Sequence, residues 1–562
     1  MHELVIRAGT VIDGTGRDSY VGDVAVDGGL ITEIGACGRA TRELDAEDLL
    51  VLPGFVDTHT HYDAQVTWDP LLSSSCWHGV TTVVMGNCGV GFAPVRPDRR
   101  GWFVGMMEAV EDIPAAVLDE ALAWDWETFP EYLDAIARQP RAIDVTAMLP
   151  HSALRVYVMG DRGADHASVP TAEDLQAMYA IARQAARAGA VGFSTARLQT
   201  HRTGDGDRVP CYATRSDELE AIATGLRAGG GRLLEVATAY PGDDIEHEFA
   251  RYRALAEATG CELSLPIAQQ PDDPEQWRII LGLIEGAAAD AVPISAQIAI
   301  RPIGALFGLL GSRHPFLASP TFRSLAMLGV EELAARLRAP DIAAAICAEA
   351  DAAPIVDPAN LFPIGSPLDY FPPSETSIAA RAAGAGVSPT RWAYDFLSAD
   401  PATALLYFPA RNWAPGSDEI VAEQLASPAA VPGLGDGGAH CTQICDMSSP
   451  TTLLTYWGRD RRYGPTIGLP QLVKRQTFDT ARLAGLSDRG VVSVGCKADL
   501  NVVDWHELDV GAPVIVDDLP GGGRRLVQRA TGYRWTLVAG QVVFEDGEHT
   551  GALPGRVVRQ GR

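Results

Sequence analysis

The sequence predicts an α/β protein, a (β/α)8 TIM-like barrel joined to a small β-sandwich built from both chain ends. Three observations point to it. Short apolar runs alternate with amphipathic helical patterns through the middle of the chain, as in a parallel sheet with crossover helices. The two ends instead read as short strands separated by turns. Residues able to do chemistry fall where the apolar runs end, which is where a barrel of this kind carries its site.

The 562 residues exceed what one core usually encloses, so one large domain plus an accessory module is expected. Near the start, 4–6, 24–26 and 30–32 are strand candidates, with turn signals at Gly14 to Gly16 and Asp27-Gly28-Gly29. Near the end, 498–504 and 535–543 read as strands. Neither end can bury a core alone, so 1–53 and 488–562 are expected to form one sandwich around a barrel at 54–487. Its candidate strands are 54–59, 80–86, 144–149, 190–194, 232–237, 262–267, 292–297 and 431–436, with helices at 172–188, 216–228 and 273–289 among them. An open, doubly wound sheet is the structural alternative. Two gaps, about 87–143 and 298–430, are too long for plain βα loops and leave C-terminal strand ends. The second holds proline- and aromatic-rich pieces at 316–322 and 367–373, the latter with Tyr370, a candidate substrate contact. Long insertions at that face usually shape a pocket. Peripheral packing or a subunit contact is the alternative, so a homo-oligomer is a possible state.

A net charge of -27 and a pI near 4.8 argue against nucleic acid or an anionic membrane as partner, and leave a small molecule. No basic, apolar leader opens the sequence, and the apolar stretch 294–310 is broken by Arg301 and Pro302. Nine scattered cysteines fit reduced thiols in a cytoplasmic protein. Cys441 and Cys445 have a metal-like spacing but no second pair to complete it.

The strongest local signal is Asp57-Thr58-His59-Thr60-His61 on the first barrel strand. Alternate strand residues share a face, so Asp57, His59 and His61 line up, and two imidazoles so placed can hold one divalent metal. The second signal is Asp436, which ends an apolar run amid glycines where the last strand should stop. An Asp there can reach the metal and its water, or else cap the next helix. His151 follows the third strand, with Arg155 four residues on; His201 follows the fourth, and His440 lies four residues past Asp436. Each histidine is a candidate for touching substrate or an oxyanion, or else a hydrogen-bonded structural residue. Glu235 is the acidic side chain of the fifth strand; it either ligates metal or pairs with a nearby arginine.

The Asp-x-His-x-His strand and the late Asp resemble the amidohydrolase superfamily. Residues 54–61 followed by 79–89, the closing 498–504 and the tail 550–556 are similar to the N-acyl-D-amino-acid deacylase (D-aminoacylase) family. The resemblance covers both ends and the barrel core and is poor across the two insertions. It implies the terminal β module, the barrel and zinc. It matches His59, His61 and Asp436 to the more exposed metal position, and Cys88 to the cysteine of the tighter one. The family's histidines ending the fifth and sixth strands are missing, since those segments read Leu233-Leu234-Glu235-Val236-Ala237 and Leu263-Ser264-Leu265-Pro266-Ile267 with Gln269 beyond. No strand lysine suits a carboxylated bridge, and Cys441-Thr442-Gln443 stands where the family has a His-Pro-Arg pattern.

These residues predict hydrolysis of a non-peptide C–N amide bond by an activated water, with Asp436 as general base and His151 or His440 aiding the oxyanion. Glu235 and Cys88 are the added metal candidates; His201, Arg155 and Tyr370 are the substrate candidates. One firmly held divalent ion, zinc by the donor types, is expected rather than two. Deacylation of an N-acyl amino acid or related compound leads. A cyclic amide or ureide hydrolase or a deaminase, and a non-catalytic relative of the fold, are the alternatives.

Overall fold

The computed structural model describes residues 1–238, 244–365 and 367–560. Eight parallel strands form its centre: β1 (Phe55–Thr60), β2 (Val80–Met85), β3 (Asp144–Pro150), β4 (Gly192–Arg197), β5 (Leu233–Thr238), β6 (Glu262–Ile267), β7 (Ile294–Ile298) and β8 (Ala430–Pro432). Each pairs with its neighbour in chain order. The ring closes between its first and last members. Asp436 N donates to His59 O at 2.9 Å, and His61 N donates to Gly437 O at 2.7 Å. Closure excludes the open-sheet alternative.

β1, β2 and β3 are buried along their whole length, which is why they read as apolar runs without alternation. The helices Ala172–Ala188, Ser216–Gly229 and Gln276–Ala289 cross over outside the sheet, close to the predicted spans. The last strand is shorter than the expected 431–436. It stops at Pro432, and Leu434 and Asp436 take positive φ values of 59° and 47°, which no strand tolerates.

Both ends of the sequence contribute to one nine-stranded sheet, with Leu50–Pro53 set antiparallel to Leu500–Val503. Leu4, Ile6, Val24, Val26, Val51, Leu500, Val502 and Leu537 fill its core. The stretch 535–543, expected as one strand, belongs to a hairpin of Tyr533–Val538 and Gln541–Glu545. Ala539 and Gly540 turn it with positive φ at both positions, the geometry of a two-residue hairpin turn.

The first insertion carries α1 (Arg100–Glu111) and the helices Ala115–Ala121 and Phe129–Ala137, whose apolar faces join the barrel's own core. The second builds a three-stranded antiparallel sheet from Ile303–Phe307, Phe362–Ile364 and Leu405–Arg411, and packs helices on it around a separate core. Among the described residues, no helix is long and apolar enough to cross a membrane.

Candidate metal centre

The closure between β1 and β8 puts the two sequence signals side by side. Asp436 Oδ1 lies 3.3 Å from His59 Nε2 and 3.7 Å from His61 Nε2. The approach needs glycines. A side chain at Gly435 would sit 2.3 Å from Asp57 Oδ2, and one at Gly438 would meet His61 O at 2.7 Å. Asp57 faces inward but braces the strand, accepting from His59 N at 3.1 Å.

Cys88 follows β2 in the left-handed region, at φ 55°. Its Sγ lies 3.4 Å from His59 Nε2, and its backbone N donates to Glu235 Oε2 at 2.9 Å. Donor atoms of His59, His61 and Cys88 all fall within 4.8 Å of one another. Cys88, Asp436 and His440 each adopt positive φ without being glycine. Such backbone cost tends to gather where a site demands it.

The side chains of His59, His61, Cys88, Glu235 and Glu111 are buried. Burial depresses the His59 pKa to about 4 and pushes His61 well below its usual value, so both rings are neutral with a lone pair to offer. Burial raises Asp436 to about 7 and Glu235 to about 8, and drives the Cys88 thiol far up. His61 Nδ1, Glu235 Oε1 and Glu111 Oε2 are buried with no hydrogen-bond partner among the described residues. A dry cluster of acceptors without a cation is unfavourable by itself. Two imidazoles, a thiol and a carboxylate are a donor set that fits zinc.

Two residues beside the cluster escape the sequence reading. Gln297, near the end of β7, places Oε1 2.6 Å from His59 Nδ1, which fixes a ring tautomer with Nε2 free. Glu111, the last residue of α1, places Oε1 3.4 Å from His61 Nδ1. A signal for Glu111 was available: at helical spacing it shares a face with the buried Val104 and Met107, and a carboxylate on an apolar face needs a reason.

The other predicted residues divide. His440 stands at the mouth, one-third exposed, with Nε2 3.9 Å from Glu111 Oε2. Burial, and after it the nearness of His440, Arg411 and His59, lowers the His201 pKa to about 3; its Nδ1 has no partner among the described residues. His151 is not brought to the cluster. Its Nδ1 meets Thr195 Oγ1 at 2.8 Å and its Nε2 meets Glu218 at 3.1 Å, leaving no ring nitrogen for an oxyanion. Arg155 is spent on the same carboxylate through two bonds of 2.7 and 2.6 Å. Tyr370 is buried beneath Arg301, 3.7 Å from the ring centroid, and its hydroxyl bonds Gln528. Glu235 lies next to Cys88 but outside the tight group of His59, His61 and Cys88. Gln269, which follows the sixth strand where the family has a histidine, turns its amide onto Gln270 O. Cys441 and Cys445 are both buried free thiols.

The model of the amidohydrolase family matches residues 42–361 and 373–544. The chain is 32% identical to a D-aminoacylase of Alcaligenes xylosoxydans xylosoxydans over 271 residues, 47% of this chain and 49% of that one. It is 32% identical to an N-acyl-D-glutamate deacylase of the same organism over 303 residues, 53% of this chain and 56% of that one. The chain thus spans about half the length of the curated relatives it matches. A crystal structure of D-aminoacylase aligns over all of both chains with a TM-score of 0.65 and 25% identity. The N-acyl-D-glutamate deacylase of Bordetella bronchiseptica, complexed with zinc and a phosphonate inhibitor, aligns over 99% of both chains with a TM-score of 0.66 and 26% identity. With its closed parallel barrel and its matched length, the chain belongs to the amidohydrolase family.

Proposed function

We propose that this protein is a zinc-dependent deacylase of N-acyl amino acids, with N-acyl-D-amino acids as the first class to test. The observation that carries the reading is the convergence of His59, His61 and Cys88 donor atoms within 4.8 Å, with Asp436 against both imidazoles. The deacylase relatives support the substrate class. In this reading residues 1–53 and 488–562 form a β-sandwich and 54–487 the barrel, and the enzyme works in the cytoplasm.

His59, His61 and Cys88 would hold one zinc ion, with Asp436 beside it. Zinc on such donors supplies Lewis acidity toward a carbonyl and brings the pKa of water down to about 7. Asp436 orients the attacking water, takes its proton as general base, and returns a proton to the departing nitrogen. Gln297 keeps the His59 ring in one tautomer. His440 donates toward the developing oxyanion, a role His151 cannot share because both its nitrogens are engaged. Arg411, half-buried and without an ion pair or hydrogen bond of its guanidinium among the described residues, offers an unneutralised charge near His201 for the substrate carboxylate.

The test is amine release by zinc-loaded protein from N-acetyl-D- and N-acetyl-L-amino acids, set against ring amides and amino-heterocycles. Turnover of the N-acetyl-D-amino acids is expected. Turnover confined to the ring substrates would overturn the deacylase reading.

A further inference from the structure

Glu111 stands out because its burial has no ordinary explanation. It is 1% exposed, and among the described residues no lysine or arginine pairs with it and Oε2 has no hydrogen-bond partner. Two site histidines lie within ion-pair reach of it, His61 Nδ1 at 3.4 Å and His440 Nε2 at 3.9 Å, and the carboxylates of Asp436 and Asp63 are close enough to push its pKa up further, after burial. His61 Nδ1 in turn is buried without a hydrogen bond among the described residues.

Several contacts place this carboxylate. Phe103, Val104, Met106, Met107 and Val110 bury the inner face of α1. Asp112 ends the helix in the left-handed conformation, at φ 55°. Its Oδ2 accepts from Thr442 N at 3.2 Å, Thr442 Oγ1 at 2.9 Å and Ser312 Oγ at 3.0 Å. Glu111 O accepts from His440 N. The end of α1 is thereby tied to the loop that carries Asp436 and His440. The two ligand imidazoles are served differently: His59 Nδ1 faces the neutral amide of Gln297, whereas His61 Nδ1 faces a carboxylate.

We propose that Glu111 is a positioning residue for the metal site: its carboxylate takes the Nδ1–H of His61 and turns Nε2 toward Asp436 and the metal. A carboxylate behind a ligand histidine fixes the tautomer and raises the basicity of the ligating nitrogen. The inference rests on the proposed site at His59, His61 and Cys88, and goes beyond it by giving the first insertion a part in holding the metal.

The test uses full-length protein. Zinc affinity is measured by competition with a chromogenic chelator, and the absorption bands of the cobalt-loaded form report the donor set. Glu111→Gln should weaken zinc about tenfold, and Glu111→Met, which keeps the volume but loses both oxygens, toward about 100-fold. The cobalt bands should keep their positions, because no ligand is lost. In a His61→Ala background, Glu111→Gln should cost nothing further. Unchanged affinity in both variants, a further loss in the His61→Ala background, or a shift of the cobalt bands marking Glu111 as itself a ligand would each overturn the proposal. Failure of the unaltered protein to bind zinc would instead overturn the site reading on which it rests.

Discussion

The two long insertions use their apolar residues differently. In the first, Phe103, Met107, Trp126, Phe129 and Tyr132 join the same core as the barrel strands. In the second, Phe316, Phe322, Ile346, Leu397 and Leu406 close a core of their own around a short sheet. An insertion fused to the barrel core can hold a side chain in register with the site, and Glu111 is the result. The second insertion also reaches the barrel core, through Leu306, Tyr370, Phe371, Leu405 and Tyr407, but its helices pack on the separate core, and polar contacts add to the junction: Arg301 bonds Asp446 and Ser448, and Asn412 bonds the backbone of Gln269. Close-packed interiors transmit small displacements, so shared packing implies shared geometry and separate packing does not.

The largest effect is expected at the barrel itself. If the strand ends do the chemistry and the insertions only support it, Asp436→Asn should lower kcat by about 10²–10⁴ with the melting temperature preserved. The amide keeps the shape but cannot take the proton. Near wild-type kcat would move the base elsewhere, and with it the division of labour between barrel and insertions.

Core truncations sharpen the contrast. Met107→Ala and Leu397→Ala each remove a fully buried side chain and should each cost about 2–5 kcal/mol of stability by denaturant unfolding. Only Met107→Ala should also weaken zinc retention, because its helix ends at Glu111. Equal zinc affinity in the two variants would show that the first insertion is no more coupled to the site than the second.

Much of this was legible in the sequence, for reasons that differ by residue. His59, His61 and Asp436 could be found because a strand's period of two and the end of an apolar run are both visible in one dimension. Cys88 was marked by family resemblance, and the structure places it beside His59. His151 and His440 looked alike, each lying beyond an apolar run. They differ in what lies behind the ring: Glu218 and Thr195 occupy His151, and neither is near it in sequence. Gln297 was hidden for the same reason, since a residue that works through another's ring is identified by the third dimension; Glu111 left only the trace of a carboxylate on the apolar face of its helix. The hairpin at Ala539-Gly540 and the early end of β8 are local backbone events at positive φ that Ala539, Leu434 and Asp436 do not announce by type.

The central claim is a single metal held by the end of β1 with Cys88. It is tested most directly by the metal content of purified full-length protein after extensive dialysis, alongside the His59→Ala/His61→Ala double variant. The account predicts one firmly retained ion per protein molecule, lost in the double variant. Two well-retained ions per molecule, or the same content in both proteins, would contradict it.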